Sequence, residues 1–168
     1  MSNVDQWVRA FAKQSLSDFD AREQLLEDRE LPQCHQLHAL QMALEKASKA
    51  HLISVNESVA DVTRSHAHVG KQIPLIVKHG LSSEPGTNAG WLVKAVRNVA
   101  LRIDRLHPQI NDGGSVPANV EYPWQGPFGV VAPCDHSFGF SIDDDKPLAA
   151  IVKFTRQRMA ALVADPES

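Results

Sequence analysis

Residues 34–53, CHQLHALQMALEKASKAHLI, constrain the fold of this chain more than any other segment. Leu37, Leu40, Ala43, Leu44, Ala47 and the run 50–52 return at helical spacing, so one face of a long helix is apolar or small. Between them stand Gln41, Glu45, Lys46 and Lys49, polar and mostly long. Ala39, Ala43 and Ala47 offer close-packing surfaces, and the segment predicts a bundle of helices.

The flanking segments read the same way. Val4, Trp7, Val8, Phe11, Phe19, Leu25 and Leu26 recur at helical spacing and predict a first helix from about residue 3 or 4 to 28. The short turn 29–31 precedes Pro32, which suits a first helical turn because its missing N–H would have no partner there. So short a connection predicts an antiparallel hairpin with a second helix over 32–54. Residues 57–79 hold either one broken helix or two short ones, interrupted by Gly70 and Pro74, with Gly80 as the expected C-cap. A Ser-, Pro- and Gly-rich linker at 81–86 leads to a helix starting near 87 or 88, with Trp91, Leu92, Ala95, Val96, Val99, Ile103 and Leu106 on its buried side. Pro108 ends that run. A last helix begins at 144–147 and runs to about Ala164.

Residues 108–143 do not fit the helical pattern. They hold five prolines, five glycines and five of the ten aromatics: Tyr122, Trp124, Phe128, Phe138 and Phe140. Structureless loops of this length are uncommon in compact domains, and the aromatics argue against a solvated linker. The expectation is an ordered cap with these rings buried on the bundle. A small hairpin pairing 128–132 with 137–142 is a further expectation. The fold class is therefore all-α, an up-and-down bundle of about five helices in one domain over 1–168, with a long insertion before the last helix.

Charge and length exclude some classes. A net charge of −3 and a pI near 6.2 argue against coating nucleic acid by bulk positive charge and leave room for a local basic patch. No apolar run approaches the roughly 20 residues of a membrane span. Residues 1–8 have neither the basic nor the apolar region of a signal peptide, so the cytoplasm is the expected compartment. Cys34 and Cys134 are far apart in sequence and form no CxxC, which fits reduced thiols.

The alternation of small alanines with Gln41, Glu45, Lys46 and Lys49 resembles the second helix of HEPN domains, of the sacsin-like and nucleotidyltransferase-associated type. Trp7 is similar to that family's early aromatic, His66 or His68 to a histidine in its third segment, and Tyr122–Pro123 to its late Arg-Tyr-Pro turn. Glu121 stands where the family has Arg. The resemblance implies a nucleotide- or RNA-binding module that pairs as a homodimer and needs no cofactor. It also implies two alternatives, a metal-independent endoribonuclease of the toxin or phage-defence kind and a ligand-free partner of a nucleotidyltransferase.

Catalytic relatives carry an Arg-x4–6-His motif, which Arg102 and His107 match in spacing. There the imidazole would move a proton and the guanidinium would hold phosphate. Ile103 replaces the usual polar residue and Pro108 abuts the histidine. The alternative is a solvated Arg102 and a His107 that acts as a helix C-terminal cation. Candidate ligand-binding residues are Arg64, His66, His68 and Lys71, which form a cationic cluster or else a polar linker. Lys46 and Lys49 join them on one helix side, unless Lys49 makes a solvated i,i+4 pair with Glu45. Cys34, His35 and His38 lack a fourth ligand nearby, so no metal is assigned.

Overall fold

A computed structural model describes residues 2–55, 57–66, 68–83, 89–110, 118–139 and 146–166. Among these, six helices, α1 (Asn3–Glu27), α2 (Gln33–Ser54), α3 (Val59–Arg64), α4 (Val69–Ser82), α5 (Ala89–Asp104) and α6 (Lys146–Ala164), surround one core. The strands β1 (Trp124–Gly126) and β2 (Gly129–Val131) form a small antiparallel hairpin between α5 and α6. The chain is thus an all-α bundle with a minor β element.

Helix α1 starts at a capping box in which the Ser2 hydroxyl accepts from the Asp5 N–H and the Asp5 carboxylate reaches back to the Ser2 N–H. It buries Val8, Ala12, Ser15, Phe19 and Arg22 at alternating spacings of four and three, one stripe against α2. Gln36 Nε2 donates to the Leu25 carbonyl near the connection and Ser15 Oγ to the Ala43 carbonyl far from it, so the two helices run antiparallel. Trp7 and Val4 lie outside the stripe and are exposed.

Helix α2 is buried on nearly every side, because α1, α4 and α6 all pack on it. Ala43 and Ala47 are fully buried inside the protomer, so they are not available as a surface for a second copy. Residues 57–79 resolve into two helices. Pro74 sits buried within α4, and Gly80 is not a cap: the helix continues to Ser82, and Gly80 lies inside it where a Cβ would strike the Phe154 ring of α6. Helix α5 buries Val96, Val99, Ala100 and Ile103, but Trp91, expected on this face, is 54% exposed. The proposed starts of the last two helices at 87–88 and 144–145 lie outside the described residues.

The insertion departs from the expected cap. Trp124 pairs with Val131 and Gly126 with Gly129 across a two-residue turn, so the hairpin falls earlier than the 128–132 and 137–142 pairing. The segment 129–131, expected to pair with 137–142, pairs instead with 124–126 on its N-terminal side, and Pro133–Asp135 winds into a 3₁₀ turn; 140–142 lie outside the described residues. Gly129, at φ +138, takes a backbone conformation that side chains disfavour. Trp124, His136 and Phe138 pack edge to face at 4.8 and 5.1 Å and are half-buried. Phe128 and Tyr122 point into solvent, which contradicts their expected burial; Phe140 lies outside the described residues. The 3₁₀ turn also brings Cys134 near Cys34; burial first, and this neighbour second, push the Cys34 thiol up.

Candidate functional site

Gln41, Glu45 and Lys49 are successive i,i+4 neighbours on α2, and all three are buried. Lys49 Nζ donates to Glu45 Oε1 at 2.8 Å, and Gln41 Nε2 donates to Oε2 at 3.1 Å. The expected Lys49–Glu45 pair therefore exists, but it is inside the protein, not solvated. The helix cannot rotate this row outward without exposing the core residues Leu40, Leu44 and Ala47.

The short α3 and the segment after it bring His66 onto this row, with Nδ1 2.9 Å from Glu45 Oε1. The His66 ring stacks on His107 at a centroid distance of 4.4 Å. His107 follows the end of α5 and is buried; its Nδ1 accepts from the Gln109 N–H at 3.2 Å, which assigns the proton of the neutral ring to Nε2. Nearby, Asp104 caps the start of α4. Its Oδ2 accepts from the Gly70 N–H at 3.1 Å, with Val69 N–H a second donor, while the N-cap residue His68 gives no side-chain cap bond. A Cβ at Gly70 would sit 2.6 Å from Leu101 Cδ2, so the exposed Leu101 side chain would have to shift to admit one.

Burial works against the Glu45 charge, but Lys49 and then His66 outweigh it and hold the carboxyl below its ordinary value. Asp104 goes the other way: burial raises it, and the two backbone amides only partly offset that. Burial lowers both His68 and His107. Lys49 adds to the effect on His68, and Glu45 opposes it at both rings. The cluster at neutral pH is thus one buried ion pair surrounded by histidines, two of them held in the neutral form. Three buried polar atoms around it, Gln41 Oε1, His68 Nε2 and Asp104 Oδ1, have no hydrogen-bond partner among the described residues. Buried groups of this kind call for a water, an ion or a ligand.

Glu45, His66 and His107 can place ligand atoms within 4.8 Å of one another. By type they suit zinc, by arrangement they do not. Glu45 Oε1 is already bonded to the Lys49 ammonium, and the two imidazole planes are only 19° apart, so their lone pairs run side by side instead of converging. Cys34, His35 and His38 are not part of this group.

The candidates from the sequence divide into three sets. Lys49, His66, His68 and His107 come together. Lys71 and Arg64 are exposed, and Lys71 is close enough for its charge to act on His68 and Asp104. Lys46 is separated from Lys49: it pairs with Asp18 of α1 at 2.7 Å and ties the first two helices together. Arg102 is exposed and donates to the Gly139 carbonyl at 3.0 Å, while His107 stacks on His66. Glu45, Asp104 and Gly70 were not singled out as site residues. The 41–45–49 spacing was the available signal for Glu45; nothing local marks Asp104 or Gly70. No family model, curated protein or solved structure matches the chain.

Proposed function

We propose that this chain is a nucleotide- or RNA-binding module of the HEPN kind. One observation carries the reading: the second-helix row Gln41, Glu45 and Lys49, the third-segment His66 and the late His107, drawn from separate parts of the resemblance, meet in one cluster with three unsatisfied buried polar atoms. Arg64 and Lys71 stand exposed at the ends of the helices that lead into it and supply local positive charge in a chain whose net charge is negative. Phosphate oxygens would meet Arg64 and Lys71 at the rim, and the His66 edge would donate or accept within. The module acts as a homodimer, for which Trp91 and Leu101, both exposed on α5, offer apolar contact now that Ala43 and Ala47 are internal.

Titration with nucleotides and short single-stranded RNAs tests this, with wild type set against Arg64→Ala/His66→Ala. The double variant should lose at least about tenfold in affinity, or about 1.4 kcal/mol. Equal affinity would refute the site and leave an interaction module that pairs with a nucleotidyltransferase. A second reading rests on the stacked imidazoles beside Lys49. A metal-independent endoribonuclease needs one proton donor, one acceptor and a cation, and His66, His107 and Lys49 offer that set, whereas Arg102 turns to Gly139. Cleavage of RNA in the presence of a chelator, abolished by His107→Ala, would favour it over binding alone.

A further inference from the structure

Cys34 stands in the first turn of α2, and Cys134 is the middle residue of the 3₁₀ turn Pro133–Asp135, far along the chain. That turn packs on α2 at Cα–Cα separations of 8 Å or less. The Gln33 side chain fixes where: its Oε1 accepts from the Phe138 N–H at 3.3 Å, so the residue before Cys34 holds a residue shortly after Cys134. Two backbone bonds, from the Asp135 N–H to the Ala132 carbonyl at 3.1 Å and from the His136 N–H to the Pro133 carbonyl at 3.3 Å, set the turn that carries Cys134. We propose that the two thiols are a reversible redox pair, which a small-molecule disulfide converts into a Cys34–Cys134 bond that pins the insertion to α2.

The two cysteines differ as such a pair requires. Cys134 is exposed and meets an oxidant first, whereas Cys34 is only 3% exposed and is shielded from reagents in solvent. Burial first, and the charge of the neighbouring Cys134 second, hold the Cys34 thiol up, which makes Cys34 the resolving thiol and not the first to react. A thiolate at Cys134 attacks one sulfur of the small disulfide, forming a mixed disulfide and releasing one small thiolate. Cys34 then loses its proton and attacks the Cys134 sulfur, and the new S–S bond forms as the second small thiolate leaves. Two protein thiols and one small disulfide thus give one protein disulfide and two small thiols, which carry away the two protons. Among the described residues neither cysteine belongs to a set of three metal-ligating groups: His38 lies 3.9 Å from Glu121, and His136 packs edge to face on Trp124 and Phe138. The pair is therefore set for sulfur–sulfur chemistry and not for zinc. The bond adds a covalent tie to the Gln33–Phe138 and Arg102–Gly139 hydrogen bonds that join the insertion to the helices. In a reducing compartment it forms only transiently, as a sensor does.

The test equilibrates the intact chain with oxidised glutathione, blocks remaining thiols with N-ethylmaleimide, and reads the products by intact mass and by peptide mapping without reductant. Wild type should end lighter by two hydrogen atoms, as a single chain with one 34–134 cross-link and no retained glutathione. Cys34→Ala should stop at one glutathione on Cys134, because nothing resolves the mixed disulfide. Cys134→Ser, a change at an exposed position that leaves packing alone, should take up no glutathione while folded. In oxidised wild type the Phe138 amide should exchange its hydrogen at least about tenfold more slowly, and dithiothreitol should restore the original rate. A wild type that keeps glutathione on Cys134, links two chains through Cys134 or does not react overturns the proposal. So does a 34–134 cross-link that leaves Phe138 exchange unchanged, since the insertion would then not be pinned. None of these readouts involves His66 or His107, so the nucleotide reading stands or falls separately.

Discussion

Replacing Glu45 by Gln should be among the most damaging single polar changes in this protein, and the structure says how damaging. The substitution keeps shape but removes the charge that faces Lys49, whose side chain is only 7% exposed. At 2.8 Å and an effective dielectric constant of about 20, the attraction lost is on the order of 6 kcal/mol gross. The net cost is smaller, since the pair also lost hydration on folding and the Gln carbonyl can still accept from the ammonium. Stranding one member of a buried pair typically costs about 3–5 kcal/mol, and the retained hydrogen bond places Glu45→Gln near 3. That is a large part of a typical total of about 5–15 kcal/mol. Urea unfolding at pH 7 measures it as a drop in midpoint at unchanged slope. Glu45→Gln/Lys49→Met, with both charges gone, should recover about 2 kcal/mol of the loss. The pH dependence carries a sign. Glu45 sits below its ordinary 4.5 when folded, so its contribution is complete above that pH and is lost as pH falls through the lowered folded value. Wild type and Glu45→Gln should therefore converge in acid. A loss below about 1 kcal/mol at pH 7, or no recovery in the double variant, would refute the buried-pair account.

Three further outcomes are expected. Gly80→Ala drives a methyl into the Phe154 ring and should cost about 1–3 kcal/mol by thermal or urea unfolding, whereas a C-cap glycine in the left-handed region would show no dependence on Phe154→Leu. Phe128→Ser and Tyr122→Ser remove exposed rings and should change stability by less than about 0.5 kcal/mol, where a buried cap would lose several times that. His51, depressed from 6.5 to about 4, stays neutral while the unfolded chain takes up its proton, so stability should fall as pH drops from 6.5 towards 4. The decline amounts to up to about 3 kcal/mol and should be absent in His51→Leu.

The boundaries of α1 and α2 were legible because spacing and breakers act locally: the recurrence from Val4 to Leu26 outlines the first helix, and Pro32 marks the start of the second, while the Ser2–Asp5 capping box was found in the structure. The hairpin between them followed from a connection too short for any other arrangement. The polar row 41–45–49 was legible as a row, but its burial was not. Polar positions on a helix ordinarily face water, and only the packing of further helices around α2 encloses them. The same packing exposes Trp91 and makes Gly80 a contact instead of a cap. Arg102 and His107 looked paired because they share a helical stretch. The end of α5 at Asp104 releases His107 to turn towards His66, which no spacing rule encodes. The sequence by itself determined that this is a helical bundle with an aromatic insertion, since periodicity, caps and breakers are short-range. Only the tertiary structure decided which polar groups meet. Glu45, His66, Asp104 and His107 come from α2, the segment after α3, the end of α5 and the residues beyond it, and their meeting depends on how whole helices pack.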